Sequence, residues 1–146
     1  MNALHHGHCL RMPGIVTAAL ISFAAHSSLA LAADVKVTLS GDQEVPAVKT
    51  AASGSGTISI KEDKTVSGSV TTAGVMGTAA HIHNASAGKN GPVIVPLTKS
   101  GDNGWSVPAG ATLTDPQFAA YKAGDLYVNV HSAENKGGEI RGQLKP

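Results

Sequence analysis

Apolar and polar residues alternate along several short stretches of this chain, which is typical of β-strands with one buried face. Residues 35–41 show it most clearly, with Val35, Val37 and Leu39 on one face and polar residues on the other. The same alternation in residues 57–60 and 65–72, around a charged turn, predicts a hairpin. Further strands are predicted on both sides of a polar loop at 84–91, and at 105–107, 125–132 and 138–144.

One segment, residues 113–125, predicts a helix instead. Thr114 can cap its N-terminus, Gln117 stands three residues later as a capping box requires, and Gly124 suits its end. Seven or eight short strands and one connecting helix predict an all-β protein, a Greek-key β-sandwich or flattened barrel.

Residues 1–32 depart from this pattern and predict a secretory signal. Arg11 precedes an apolar stretch at 14–25, and small residues stand at the −3 and −1 positions before Ala33. A membrane anchor is the alternative, but the apolar stretch is shorter than the roughly 20 residues that a spanning helix needs. We expect residues 33–146 to form one periplasmic or secreted domain, with no transmembrane segment after cleavage.

Removing the predicted signal changes the composition of the chain. It takes away four of the seven histidines and the only cysteine, and it leaves ten basic and ten acidic residues. A neutral chain has no basic patch that would predict nucleic-acid binding. Because no nucleophile motif or phosphate-binding glycine loop occurs, we expect no enzyme activity, while copper-dependent redox chemistry stays open.

The three histidines that remain are His81, His83 and His131. Side chains alternate along a strand, so His81 and His83 share one face and Ile82 faces the core. In the strand at 125–132 the apolar residues predict that His131 also points outward. All three histidines are therefore expected on outer faces, and they converge if the two strands pair, which the sequence does not determine.

Two interpretations of these histidines remain open. Imidazole nitrogens bind copper, zinc and nickel, so the three side chains can form a metal site with water or Met76 as a fourth ligand. The alternative is a solvated polar face, in which the histidines bond to neighbours such as Asn129 and Glu139.

Other polar residues favour structural roles. Glu139, Arg141 and Gln143 share a face and predict a polar ladder that pairs with neighbouring strands. Asp42 and Glu44 are expected in a charged loop, with nothing to pair them as an acid and a base. Three glycines are expected at turns or close approaches of the backbone, and two aromatic residues are expected to pack. These are Gly137, Gly138, Gly142, Trp105 and Tyr127.

Three segments, in this order, resemble the CHRD domain family: "LSGDQEVPAV", "TAAHIHNASAGKNGPVIVPL" and "LTDPQFAAYKAGDLYVNVHSAENKGGEIRGQL". The resemblance spans residues 35–144 and implies an immunoglobulin-like β-barrel outside the cytoplasm, without a defined enzymatic activity. The chain departs from the family after His83, where Asn84 and Ala85 replace a Gly-Pro pair.

The chain is more distantly similar to copper-zinc superoxide dismutases, whose metal histidines lie on the outer face of a barrel. His81 and His83 match their H-x-H strand, and His131 matches a later V-H strand. The rest of the dismutase metal set is absent from the sequence, so this similarity implies a copper-type three-histidine site without dismutase activity. We therefore expect an exported CHRD-type barrel that binds a metal ion, copper in the first place. The alternative is a structural domain of the cell envelope that binds an unknown protein partner.

Overall fold

The computed structural model describes residues 33–146, so the signal predicted at residues 1–32 lies outside it. Within residues 33–146, no helix is long and apolar enough to cross a membrane. The described chain is almost entirely β-structure, and this confirms the predicted fold class.

The strands of residues 33–146 form one antiparallel sheet in the order β5-β4-β8-β9-β1-β2-β3-β7-β6. Their bounds are β1 (Ala33–Ser40), β2 (Ser53–Ile60), β3 (Val66–Ala73), β4 (Gly77–Asn84), β5 (Val93–Pro96), β6 (Thr98–Ser100), β7 (Gly104–Ser106), β8 (Leu126–Ser132) and β9 (Ile140–Leu144). The two edge strands, β5 and β6, are consecutive in the chain. Between them, the Leu97 backbone N–H donates to the Ala80 carbonyl oxygen at 2.9 Å, and the sheet nearly closes into a barrel.

The helix α1 (Asp115–Lys122) matches its prediction. The Thr114 hydroxyl accepts from the Gln117 backbone N–H at 3.4 Å, and the Gln117 side chain accepts from the Thr114 N–H at 2.9 Å. These two bonds are the predicted capping box, which satisfies two backbone donors at the helix start.

The structure contains more β-strand than the sequence pattern predicts in two places. β6 lies where no strand was predicted, because its three exposed side chains carry no apolar alternation. β2 begins at Ser53 rather than at residue 57, because glycine occupies its core-facing positions Gly54 and Gly56. A Cβ at Gly56 would lie 2.8 Å from Val70 Cγ1. Val70 on the neighbouring strand therefore fills the core space that an apolar side chain at position 56 would occupy.

The core lies inside the barrel and consists of the predicted apolar faces. Val35, Val37 and Leu39 of β1 are buried, as are Ile82 of β4 and the predicted apolar residues of β8. Each such side chain contributes about 1.5–3 kcal/mol when removed from water. Because this set fixes which face of β4 and β8 points inward, it also fixes that the histidines point outward.

Candidate metal centre

The three histidines lie on two strands that are direct neighbours. β4 and β8 pair antiparallel, with His81 opposite Asn129, His83 opposite Tyr127, and Ala79 opposite His131. This register places all three imidazoles on the outer face of one strand pair. The strand pairing that the sequence left open therefore brings the predicted site residues together.

The imidazole nitrogens are close to one another. His81 Nδ1 and His131 Nε2 are 2.9 Å apart. One ligand nitrogen from each histidine can be chosen so that all three lie within 4.8 Å of one another. Bonds of roughly 2 Å to a common ion need nitrogens no more than about 4 Å apart, so small side-chain rotations would complete the set.

Backbone carbonyls fix the tautomers of two of these rings. His83 Nδ1 donates to the Gly91 carbonyl oxygen at 2.9 Å, and His131 Nδ1 donates to the Lys136 carbonyl oxygen at 2.9 Å. A carbonyl oxygen can only accept, so each Nδ1 carries the proton and each Nε2 keeps its lone pair. Metal-binding histidines are typically oriented by such a hydrogen bond from the other ring nitrogen.

The environment also favours neutral imidazoles. Burial lowers the pKa of His81, and the neighbouring His131 and His83 lower it further. Burial lowers the pKa of His83 as well, against a smaller opposing effect of its hydrogen bond to Gly91. Neutral imidazole is the form that binds a metal ion, so both rings are ready to act as ligands at neutral pH.

The outer face around His83 is not solvated, unlike the solvated polar face of the alternative interpretation. His83 is only 8% exposed, whereas His81 and His131 are half-buried. The His83 ring stacks on Tyr127 with centroids 4.7 Å apart and planes 3° from parallel. Arg141 lies on Tyr127, its Cζ 3.4 Å from the ring centroid. Tyr127 is thus a packing residue, as predicted, but it packs outside the barrel.

Arg141 fastens the loop that covers this face. The side chain is 1% exposed, and it donates to the carbonyl oxygens of Lys89 at 2.8 Å and Ser86 at 3.2 Å. The predicted ladder across strands is therefore wrong for Arg141, which binds the 85–91 loop and, along its own strand, the Gln143 side chain at 3.1 Å. The same loop carries the Gly91 carbonyl that orients His83.

Two buried polar residues beside the histidines were missed as site residues. Glu44, expected in a charged loop, is 6% exposed, and Asn129 is 2% exposed. Burial raises the pKa of Glu44 to about 7, although the Arg141 charge and the Asn129 side chain lower it in part. The available signal was the segment "DQEVP", which carries the family resemblance; no hydrophobic period marks Glu44.

The remaining predicted residues lie near this face or in the core. Glu139 accepts a hydrogen bond from the Thr50 hydroxyl at 2.8 Å. Trp105 packs in the core, whereas Met76 lies between β3 and β4 and is 89% exposed. Of the three predicted glycines, Gly138 and Gly142 stand at close approaches, and Gly137 meets no atom within 4 Å of where its Cβ would lie.

Comparison with known proteins gives one match. No curated protein and no solved structure matches the chain, so the similarity to copper-zinc superoxide dismutases stays a prediction. The sequence profile of the CHRD domain matches residues 35–144, which is most of the chain and includes all three histidines and Glu44. The chain therefore belongs to the CHRD domain family.

Proposed function

We propose that this protein is an exported β-barrel module that binds one metal ion, copper in the first place, through His81, His83 and His131. The observation that supports this most is the convergence of three ligand nitrogens within 4.8 Å on one strand pair. Two of the three rings are already oriented by backbone carbonyls, so little ordering remains to be done when the ion binds.

The donor chemistry favours borderline divalent ions. Imidazole suits copper, zinc and nickel, and Cu²⁺ binds most tightly in the general order of first-row metals. His81 and His131 are half-buried, so an ion can enter from their side, whereas buried His83 closes the other side. The proposed role is binding rather than catalysis, and export rests on the signal predicted at residues 1–32.

Metal titration of residues 33–146 tests this proposal. Isothermal titration calorimetry with Cu²⁺ and Zn²⁺ is expected to give one ion per chain. The triple variant His81→Gln, His83→Gln, His131→Gln should lose this binding, whereas Lys36→Gln, an exposed change on β1, should not. Circular dichroism checks that each variant is folded. Unchanged binding by a folded triple variant would contradict the proposal.

A structural domain of the cell envelope is the alternative, favoured by the hydrogen bonds that the histidines already make. His131 connects His81 to the Lys136 carbonyl, so the three groups tie β4 to the β8–β9 loop. This alternative predicts no stoichiometric metal and a stability loss in His81→Ala and His131→Ala. Metal binding instead predicts that Cu²⁺ at 100 times its Kd stabilises the wild type by about 2.7 kcal/mol.

A further inference from the structure

Asn129 occupies the middle of the histidine cluster. It lies directly opposite His81 across the β4–β8 pair, and it precedes His131 by two residues on the same outer face of β8. His83 stands on the diagonal of the same register. The three histidines are therefore the strand neighbours of Asn129 on the β4 side and along β8. The Asn129 side chain is 2% exposed.

The Glu44 carboxyl lies beside the Asn129 amide, and its Oε1 is buried without a hydrogen-bond partner within residues 33–146. A Cβ at Gly138 would overlap Glu44 Oε1 and would lie 2.7 Å from Asn129 Nδ2, so the carboxyl group and the amide nitrogen meet beside this glycine. Because the amide nitrogen lies beside the carboxyl group, Oδ1 is the end of the amide that points away from Glu44.

Two hydrogen-bond acceptors on this face are consequently buried without a donor. Asn129 Oδ1 and His83 Nε2 are both buried, and neither has a hydrogen-bond partner within residues 33–146. His83 has placed its only proton on Nδ1, toward Gly91, so its Nε2 cannot donate to the amide oxygen. A buried acceptor without a hydrogen-bond partner destabilises the folded state, and here there are two such acceptors on one face. A cation between them would satisfy both.

We propose that Asn129 Oδ1 is the fourth ligand of the metal site, and that Glu44 is the positioning residue that holds the amide in this orientation. This inference rests on the proposed function, since it adds an oxygen ligand to the three histidines. Three imidazole nitrogens and one amide oxygen form a borderline-to-hard donor set, which suits Cu²⁺ better than Cu⁺. It also assigns the fourth position to a buried residue instead of to Met76.

Electron paramagnetic resonance of the Cu²⁺-loaded protein tests the inference, alongside the Kd. Asn129→Leu removes the oxygen ligand at nearly constant volume, so it should weaken Cu²⁺ binding at least tenfold and shift the g and copper hyperfine values. Asn129→Asp keeps an oxygen at the same position and should restore binding to at least the wild-type affinity. Glu44→Leu should change the spectrum in the same direction as Asn129→Leu, by a smaller amount.

Val130→Ala is the matched control, because it destabilises the core face of the same strand without touching the outer face. Its Cu²⁺ spectrum and affinity should equal those of the wild type. If Asn129→Leu also gives the wild-type spectrum and affinity, the Asn129 inference is wrong while the three-histidine site stands. If the wild type itself binds no Cu²⁺, the proposed function is wrong, and the inference falls with it.

Discussion

Two outer faces of the same barrel differ sharply, although both follow the same alternation of inward and outward residues. On the β1–β2–β3 face, the cross-strand neighbours Thr38, Ser55 and Thr71 are all exposed. On the β4–β8–β9 face, Asn129 is the cross-strand neighbour of His81, Arg141 is that of Asn129, and both Asn129 and Arg141 are almost completely buried. An outward direction therefore does not imply contact with water.

Loops make the difference between the two faces. Arg141 holds the 85–91 loop over β8 and β9, and Asn90 of that loop donates to the Val45 carbonyl oxygen at 2.7 Å, next to Glu44. Buried polar groups interact more strongly than exposed ones because water no longer competes for them. The covered face can thus hold a site whose chemistry depends on burial, whereas the open face is a solvated surface.

Removing Arg141 should give the largest difference between the two faces. Arg141→Met leaves the carbonyls of Lys89 and Ser86 without their donor, so we expect the free energy of unfolding to fall by about 3–5 kcal/mol. Lys36→Met, the same truncation of charge on the open face, should change it by no more than about 0.5 kcal/mol. Urea unfolding measures both, and equal effects would show that the cover has no energetic role.

Glu44 should make stability depend on pH. Its pKa rises from 4.5 to about 7 on folding, so the folded state holds the proton more tightly. Its stabilising effect is complete below about pH 4.5 and is lost as pH rises through about 7. With metal chelated, Glu44→Gln should therefore be more stable than the wild type at pH 8, by at most about 3 kcal/mol, and similar to it near pH 4.5.

The nearby groups that act on the Glu44 carboxyl are the Arg141 guanidinium, the Asn129 amide and the Val45 backbone N–H, and their effects are already included in this pKa. Asp42→Asn, which removes an exposed negative charge from the same loop, is the control. Thermal unfolding of the three proteins between pH 4.5 and 8 decides the point. If the stability of Glu44→Gln and of the wild type changed with pH in parallel, the Glu44 carboxyl would be solvated and the prediction would be wrong.

The adjacent glycines Gly137 and Gly138 should show the smallest difference between an open and a covered position. Gly138 has φ +132°, and a Cβ there would displace Glu44 and Asn129, so Gly138→Ala should cost about 1–3 kcal/mol. Gly137→Ala meets no atom within 4 Å and should cost no more than about 0.5 kcal/mol. Chemical denaturation distinguishes them, and equal costs would show that the two side chains do not meet at Gly138.

The sequence alone determined the local features of this protein. Alternation set which residues of β1, β4 and β8 enter the core, because a strand places successive side chains on opposite faces whatever it pairs with. It therefore predicted that His81, His83 and His131 face outward. The helix at Asp115–Lys122 was equally predictable, because its capping box joins residues only three apart.

Only the tertiary structure decided that the histidines meet and that one of them is buried. The contact between His81 and His131 spans fifty residues and depends on β4 lying beside β8, which no local pattern specifies. The burial of His83 depends on a loop fastened by Arg141, and Glu44 reaches Asn129 from another end of the chain. Strand order and loop packing are set by the free energy of the whole fold, so this site became visible only once the barrel was assembled.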